Sequence, residues 1–194
     1  MKHRILREDL LPLDQYAHER RYHGRRIAEL KKHRRVPVGP DATFYFENFE
    51  TMWFQIHEML YIEKGGEEQV AGELEAYNPL VPNGRELVVT MMIEIPDPDR
   101  RAAVLAKLGG IEETATLTID GTTISGVPEE DSDRTNAAGK ASSVQFIHFP
   151  FTDVQAAAFQ KPGADVVLAL LHPGYRHMAG LTEKIRGALA ADLD

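Results

Sequence analysis

Residues 51–64 (TMWFQIHEMLYIEK) constrain the fold more than any other stretch of this sequence, because they have the composition of a buried helix and still contain polar side chains. A helix that is apolar on every side is usually enclosed by other elements. A carboxylate inside such a core must be paired, hydrogen-bonded, protonated or bound to a metal, since bare burial is costly. Gln55, Glu58 and Glu63 therefore mark where polar chemistry of the core is expected.

The helical projection of this stretch separates these three polar residues. At about 100° per residue, one face of the helix gathers the main core residues, namely Met52, Trp53, Ile56, Met59 and Leu60. Gln55 and Glu58 lie three residues apart on another side, where their side chains can meet. For this pair two interpretations stay open, a polar pocket inside the core or an edge that faces solvent. Glu63 lies in the last turn and is expected to reach solvent.

Two familiar metal motifs fail on this helix. His57 and Glu58 begin the HExxH pattern of zinc proteases, but Tyr61 occupies the position of the second histidine. The Glu-x-x-His repeats of di-iron bundles are also missing. The projection places His57 on the polar flank, and we therefore predict that it lies on the surface.

Length and composition limit the class of protein. A chain of 194 residues, 43% of them hydrophobic, can build one well-packed core. The absence of cysteine excludes disulfides and thiolate zinc sites, and it fits a reducing cytoplasm. The N-terminus lacks the apolar segment of a signal peptide, and no run approaches the roughly 20 apolar residues that span a bilayer. We expect a cytoplasmic protein without membrane contact.

Positive charge is concentrated at the start of the chain. Residues 1–35 carry 11 of the 22 Lys and Arg residues and five of the 30 acidic residues, so their net charge is +6 and that of the remainder is −14. This segment is either an arm that binds anionic partners or a basic helix on the acidic body of the same chain, and the second interpretation is favoured. The overall acidic character argues against nucleic-acid binding.

Apolar periodicity divides the chain into short elements. It predicts helices over 9–35, 67–77, 98–108, 153–160 and 181–193, with a break at 36–40. Strands are predicted at 43–47, 86–95, 114–120, 122–127, 144–151 and 165–172, with Asp120-Gly121 as a hairpin turn. Strands joined by a hairpin and flanked by helices predict an α+β fold with a mainly antiparallel sheet. We expect a single domain over 1–194, with a basic helical arm (1–35) and a sheet-and-helix body (41–194).

Two histidines extend apolar strand faces. His148 shares parity with Val144 and Phe146, and His172 shares parity with Leu168 and other apolar residues of its strand. A histidine in such a place is a metal ligand, a general base or, more often, a core residue bonded to a carboxylate or carbonyl. If Glu58, His148 and His172 converge, they form a plausible site for a divalent zinc, iron or manganese ion.

Two further residues are candidates for binding a ligand or orienting the metal ligands. Asn78 precedes a proline, which favours an extended or turn conformation and leaves its amide available to backbone or ligand. Tyr175 follows the turn Pro173-Gly174, which fixes its position relative to the preceding strand. Together with Gln55 and Glu58 they make up the predicted ligand-binding set.

A polar, acidic loop is predicted at 128–143. Arg134, Lys140 and Ser142 within it are candidates for closing over an anion. A solvated connection between strands is the more common role of such a loop, and we favour it here.

Several of these segments, taken in order, resemble a bacterial protein family catalogued as domain of unknown function 3501. The matching pieces are DLLPLDQY, RRVPVGP, FYFEN, QIHEMLYIE, ELEAYNPLVP, MMIEIPDPDRR, SSVQFIHFPF and LLHPGYR. The resemblance implies a cytoplasmic bacterial protein associated with rubrerythrin-like and iron–sulfur oxidoreductases, and hence with peroxide defence or redox metabolism. It implies no catalytic residues, so the site residues above rest on strand parity and helix geometry alone.

Three functional hypotheses follow from the sequence. The leading one is an accessory protein that binds a metal or small anion in support of a redox system. In the second, a metal-dependent enzyme uses the same pocket with Glu58 as general base. In the third, a structural partner docks on an oxidoreductase through its basic arm. A redox protein partner and a homodimer are the associations that these hypotheses leave open.

Overall fold

A computed structural model describes residues 2–130, 135 and 139–194 of the chain. Its α-helices are α1 (Leu13–Lys31), α2 (Phe49–Glu63), α3 (Glu67–Tyr77), α4 (Pro98–Leu105), α5 (Asp153–Gln160) and α6 (Glu183–Ala190). Its strands are β1 (Arg35–Val38), β2 (Ala42–Glu47), β3 (Glu86–Ile93), β4 (Ala115–Ile119), β5 (Thr122–Ser125), β6 (Val127–Pro128), β7 (Val144–Pro150), β8 (Val166–His172) and β9 (Tyr175–Gly180). Short 3-10 turns lie at Arg7–Asp9, Asn78–Leu80 and Ile111–Thr114.

The described strands form two antiparallel sheets. Sheet A has the strand order β1-β2-β3-β7-β6, and sheet B has the order β5-β4-β8-β9. Every strand pairing within them is antiparallel. The predicted α+β class with antiparallel pairing is therefore confirmed, and the strands form two sheets where the prediction named one.

One hydrophobic core lies between the two sheets. Alternate residues of β2, β3 and β7 point from sheet A into this core, as the period of two along a strand requires. They meet the inward residues of β4 and β8 and apolar side chains of α4, α5 and α6. Phe44, Phe149 and Leu117 are fully buried here. Burying each such side chain contributes about 1.5–3 kcal/mol, so this core supplies much of the stability.

A second core lies on the opposite face of sheet A. There α1, α2, α3 and the N-terminal segment (residues 2–12) form a helical layer that packs against Val88 and Phe146. Four of the five residues that the helical projection places on the core face of α2 are buried, namely Met52, Trp53, Ile56 and Leu60, whereas Met59 is only half-buried. Thr51 and His57 are buried as well. Sheet A is consequently covered on both faces, by sheet B on one side and by the helical layer on the other.

Local signals fix the two ends of α2. The Asn48 side chain accepts a hydrogen bond from the Thr51 amide, and the Thr51 hydroxyl accepts one from the Asn48 amide. This reciprocal cap satisfies backbone donors of the first turn. Lys64 ends the helix in the left-handed region with φ 56°, just before Gly65-Gly66. Glu63 is exposed in the last turn, as expected.

The expected break at residues 36–40 is wrong for its first half. Arg35–Val38 form β1, which pairs with β2 at the edge of sheet A. Pro37 has no backbone N–H, and an edge strand tolerates this because one of its sides needs no partner. The predictions also missed β9, which pairs with β8 directly after the His172–Tyr175 turn.

The basic N-terminal region lies on the acidic body of the chain, which confirms the favoured interpretation of its charge. Four of its arginines form ion pairs with acidic residues outside it. These pairs are Arg7–Glu67, Arg20–Glu58, Arg26–Glu50 and Arg34–Asp192. The last pair is buried, and it fixes the chain after α6 to the start of β1.

No helix in the described ranges has the length and hydrophobicity that crossing a membrane would need.

Candidate functional site

Glu58 is held by α1 within the helical layer. Arg20 donates to both carboxylate oxygens, at 2.8 Å to Oε1 and 2.7 Å to Oε2, and the Tyr16 hydroxyl donates to Oε1 at 2.6 Å. The hydrogen bonds from Arg20 are the main reason that the pKa of Glu58 lies below its usual range. A carboxylate with a lowered pKa has little affinity for a proton, so this arrangement suits an ion pair better than a general base.

The prediction that His57 lies on the surface is wrong, because its side chain is fully buried. Its Nε2 lies 3.1 Å from the Leu11 amide, which can only donate, and its Nδ1 lies 2.7 Å from the Trp53 carbonyl, which can only accept. The imidazole is therefore neutral, with its proton on Nδ1. Burial lowers the pKa of His57 in the same direction. The N-terminal segment covers the flank of α2 that carries His57, whereas a helical projection alone predicts that this flank is exposed to solvent.

Gln55 faces α3 rather than Glu58. Its Nε2 lies 3.5 Å from the Tyr77 hydroxyl, which is at the limit of a hydrogen bond. Because Glu58 contacts α1, the two polar residues of α2 serve different helix contacts. These positions do not support the pocket interpretation, one of the two that the sequence leaves open for this pair.

Asn78 and Tyr175 bind backbone groups of the chain itself. The Asn78 amide accepts from the Ile5 N–H at 2.7 Å and donates to the Ile5 carbonyl at 3.0 Å, which ties the N-terminal segment to the end of α3. The Tyr175 hydroxyl donates to the Val38 carbonyl at 2.8 Å and accepts from the amides of Asp41 and Ala42 at 2.9 Å. Both side chains thus have structural partners at the positions predicted for ligand contacts.

His148 lies between two carboxylates on the outer face of sheet A. Its Nδ1 is 2.9 Å from Glu86 Oε2, and its Nε2 is 2.8 Å from Glu129 Oε1. Ionised carboxylates only accept hydrogen bonds, so both contacts are satisfied together when the imidazole carries two protons. Burial by itself lowers the pKa of His148, but the hydrogen bonds and charges of Glu86 and Glu129 outweigh it and raise the pKa above its ordinary value.

The structure does not bring the predicted metal ligands together. His172 accepts a hydrogen bond from the Gly174 amide at the β8–β9 turn in sheet B, whereas His148 belongs to sheet A and Glu58 faces α1. Across residues 2–130, 135 and 139–194, no group of three or more His, Asp or Glu side chains could hold a metal ion. The two carboxylates beside His148 lie on its two ring nitrogens, so they bracket the ring instead of facing one common point.

A cavity of about 430 Å³ opens beside the His148 cluster. It lies between the end of α3, the Asn78–Leu80 turn and the outer face of sheet A. Its walls combine aromatic, aliphatic and acidic side chains, namely Tyr77, Phe146, Pro79, Leu80, Glu75 and Glu129. We call it the α3 pocket. Glu129 belongs to both sites, because its carboxylate accepts from His148 and also lines this pocket.

Comparison with known proteins connects the chain to one family. The model of the family described as "Protein of unknown function (DUF3501)" matches residues 4–193. The chain belongs to this family. A solved structure of a novel protein of unknown function from Burkholderia pseudomallei K96243 is similar to this DUF3501 chain, with a TM-score of 0.90 and 37% identity over 98% of this chain and 99% of that one. A search among curated proteins finds no match.

In this DUF3501 chain, Glu86 and Glu129 are the site residues that sequence reasoning missed. The alternation of β3 places Glu86 and Val88 on the same face of the strand. Only the antiparallel register, which pairs Val88 with His148, shows that the Glu86 side chain lies next to the His148 side chain. Glu129 follows β6, a strand of two residues that has too little pattern to be recognised. Of the loop residues that are candidates for closing over an anion, Arg134 lies outside the described residues.

Proposed function

We propose that this DUF3501 protein binds a small ligand in the α3 pocket. The observation that carries the proposal is the combination, in one concave site, of two aromatic rings, aliphatic walls and two carboxylates. Sites for small molecules are typically mostly apolar clefts of about 300–1,000 Å³ with a few polar groups that fix the orientation of the ligand. The volume and the lining of the α3 pocket both match this description.

The position of the pocket supports the same proposal. It lies where the helical layer ends, so its floor is the rigid outer face of β7 and its rim is the end of α3. Phe146 supplies the floor, Tyr77 supplies the rim, and the buried Leu80 of the Asn78–Leu80 turn lines the wall. Side chains that are held by regular elements are already ordered before a ligand binds. Binding to such a preformed surface therefore costs little conformational entropy of the protein.

An accessory protein that binds a small ligand was one part of the leading hypothesis from the sequence. The α3 pocket now replaces the predicted residues around Glu58 as the binding site. Glu58 is engaged by Arg20 and Tyr16, and Asn78 is engaged by Ile5, so neither of these predicted residues supplies the binding groups. The ion pairs of the N-terminal region occupy several of the cations that a docking arm would offer to a partner. A role beside a redox system stays a proposal that rests on the family resemblance.

A ligand screen by thermal unfolding tests this function. The full chain is heated with amines, guanidines, carboxylates, phosphates and uncharged polyols, each class in excess. A ligand present at 100 times its Kd stabilises the native state by about 2.7 kcal/mol. For a chain of this size that corresponds to a rise in Tm of about 5–10 °C.

A blocked pocket provides the control. Ala76→Trp places an indole at the pocket lining, whereas Glu68→Trp places one on an exposed part of the same helix. We expect hits to stabilise the wild type and Glu68→Trp but not Ala76→Trp. Equal stabilisation of Ala76→Trp, or no hit in any class, would overturn the proposal.

A further inference from the structure

We infer that the ligand of the α3 pocket is a small organic cation, an amine or guanidinium group on an apolar body. This inference rests on the proposed function and adds the chemical class of the ligand. The ionisable side chains among the described lining residues are the carboxylates of Glu75 and Glu129 and the phenol of Tyr77. An anion would meet like charge from both carboxylates, whereas a cation would meet two acceptors.

Charge in the surrounding cluster points the same way. Glu75 and Glu129 each present a carboxylate to the pocket, and Glu129 also accepts from the His148 imidazolium. Glu75 is exposed and forms no ion pair with any residue that the structure describes. A cation that enters the pocket can therefore form charge-assisted hydrogen bonds with carboxylates, and these are stronger than hydrogen bonds between neutral groups.

The apolar walls specify the rest of the ligand. The rings of Tyr77 and Phe146 line the same cavity as the two carboxylates. Aromatic faces attract ammonium and guanidinium groups, and they also bury an apolar body. Pro79 and Leu80 extend this apolar surface. A cation with an aromatic or aliphatic body thus satisfies both kinds of lining.

Coordination chemistry favours an organic cation over a metal ion. A metal ion in a protein needs several donor atoms at one point, and tetrahedral sites use at least three protein ligands. The described residues provide no group of three or more His, Asp or Glu side chains for this purpose. An ammonium group needs only acceptors for its N–H bonds, and Glu75 and Glu129 supply them.

His148 holds one of the two acceptors in place. Its Nε2 lies 2.8 Å from Glu129 Oε1, and its Nδ1 is anchored by Glu86 on the neighbouring strand. Glu129 follows the two-residue strand β6, and its own amide donates to the Phe146 carbonyl at 3.0 Å. Side chain and backbone are therefore both fixed at the edge of sheet A, and the carboxylate is oriented before a ligand arrives.

Calorimetric titration with three matched probes tests the charge of the ligand. Phenethylamine is the cation, 2-phenylethanol is its uncharged analogue, and 3-phenylpropanoate is an anion of similar shape. We expect phenethylamine to bind at least tenfold more tightly than 2-phenylethanol, and we expect no binding of 3-phenylpropanoate. Agmatine extends the series to an aliphatic guanidinium.

Carboxamide variants test the two carboxylates. Glu75→Gln and Glu129→Gln should each weaken phenethylamine binding at least tenfold, while the matched control Glu130→Gln, an exposed neighbour outside the pocket lining, should stay within twofold of wild type. Glu75 is exposed, so its variant keeps the fold even if Glu129→Gln does not.

Two outcomes would overturn the inference. If 2-phenylethanol or 3-phenylpropanoate binds as tightly as phenethylamine and Ala76→Trp abolishes that binding, the pocket binds ligands but does not select cations. The proposed function would then survive. If neither amine nor guanidinium binds, the cation inference fails, and the remaining classes of the thermal screen decide whether the proposed function fails with it.

Discussion

The two faces of sheet A carry different kinds of chemistry. Its inner face meets sheet B through fully buried apolar side chains such as Phe44, Val89 and Phe149. Its outer face carries Glu47, whose Oε1 accepts from the Thr90 hydroxyl at 2.8 Å, and His148 between its two carboxylates. Adjacent residues of one strand thus belong to two different environments.

The inner face of sheet A therefore contributes mainly to stability, and the outer face contributes to the proposed binding site. The inner face is closed by a second sheet and leaves no room for a ligand without losing packing. The outer face is covered by helices that end beside His148, and the α3 pocket lies at that end. Substitutions on the inner face should act on folding, while substitutions on the outer face should act mainly on binding.

The largest effect is expected from a pair of phenylalanines on β7. Phe149→Ala removes a fully buried ring from the core between the sheets and should destabilise the chain by about 3–5 kcal/mol. Phe146→Ala removes a partly buried ring on the outer face and should cost about 1–2 kcal/mol while abolishing ligand binding. Urea unfolding of both variants measures the contrast. Equal losses of stability would show that the two faces do not differ in this way.

A smaller effect is expected at Glu58. Glu58→Gln keeps the shape of the side chain but weakens the charged hydrogen bonds from Arg20 and Tyr16, so the free energy of unfolding should fall by about 1–2 kcal/mol. Ligand binding in the α3 pocket should be unchanged, because Glu58 contacts α1. Glu63→Gln is the exposed control and should lie within about 0.5 kcal/mol of wild type. Loss of ligand binding in Glu58→Gln would return this residue to the site.

Two histidines on the outer side of sheet A, the partly buried His148 and the fully buried His57, should give pH dependence of opposite sign. The folded-state pKa of His148 is raised, so its contribution to stability is fully present below about pH 6.5 and is lost as the pH rises through that raised pKa. The folded-state pKa of His57 is lowered, so its contribution is present above about pH 6.5 and is lost as the pH falls.

Unfolding across the range from about pH 5 to pH 9 separates these two contributions. His148→Gln should flatten the decline of stability on the alkaline side, and His57→Gln should flatten the decline on the acidic side. If His148→Gln leaves the alkaline side unchanged, the imidazolium between Glu86 and Glu129 does not exist in the folded protein.

The smallest effect is expected at Gln55. Its contact with the Tyr77 hydroxyl is 3.5 Å long, and a hydrogen bond of that length contributes little. Gln55→Ala should change the free energy of unfolding by less than about 0.5 kcal/mol. A loss well above that value would show that α2 and α3 depend on this contact.

Local patterns predicted much of the fold. The bounds of α3 and α5, four residues of the buried face of α2 and the strand that carries His148 follow from periodicity and from turn residues close in sequence. The burial of His57 does not follow from them. It depends on residues 2–12 folding across α2, a contact between segments more than 40 residues apart, and no local pattern specifies such a contact.

The candidate site was harder to predict for the same reason. Parity placed His148 on a partly buried strand face, but its two carboxylates come from another strand and from the end of a two-residue strand. Conversely, Glu58 was selected because a buried acid needs a partner, and the structure supplies one from α1. A charged residue in an apolar sequence pattern indicates that the fold must supply a partner, and for Glu58 that partner is Arg20 of the same chain.

The hydroxyl of Tyr175 has a consequence for how copies of this protein meet in a concentrated solution. It fastens β9, the edge of sheet B, to the turn after β1, the edge of sheet A. Exposed edges are where strands of different molecules add to one another and begin to aggregate. Pro37 removes one backbone N–H donor from β1, and β9 carries the polar side chains of Arg176 and His177. A strand from another molecule therefore pairs poorly with this side of the protein. A single phenol thus helps to keep neighbouring molecules apart.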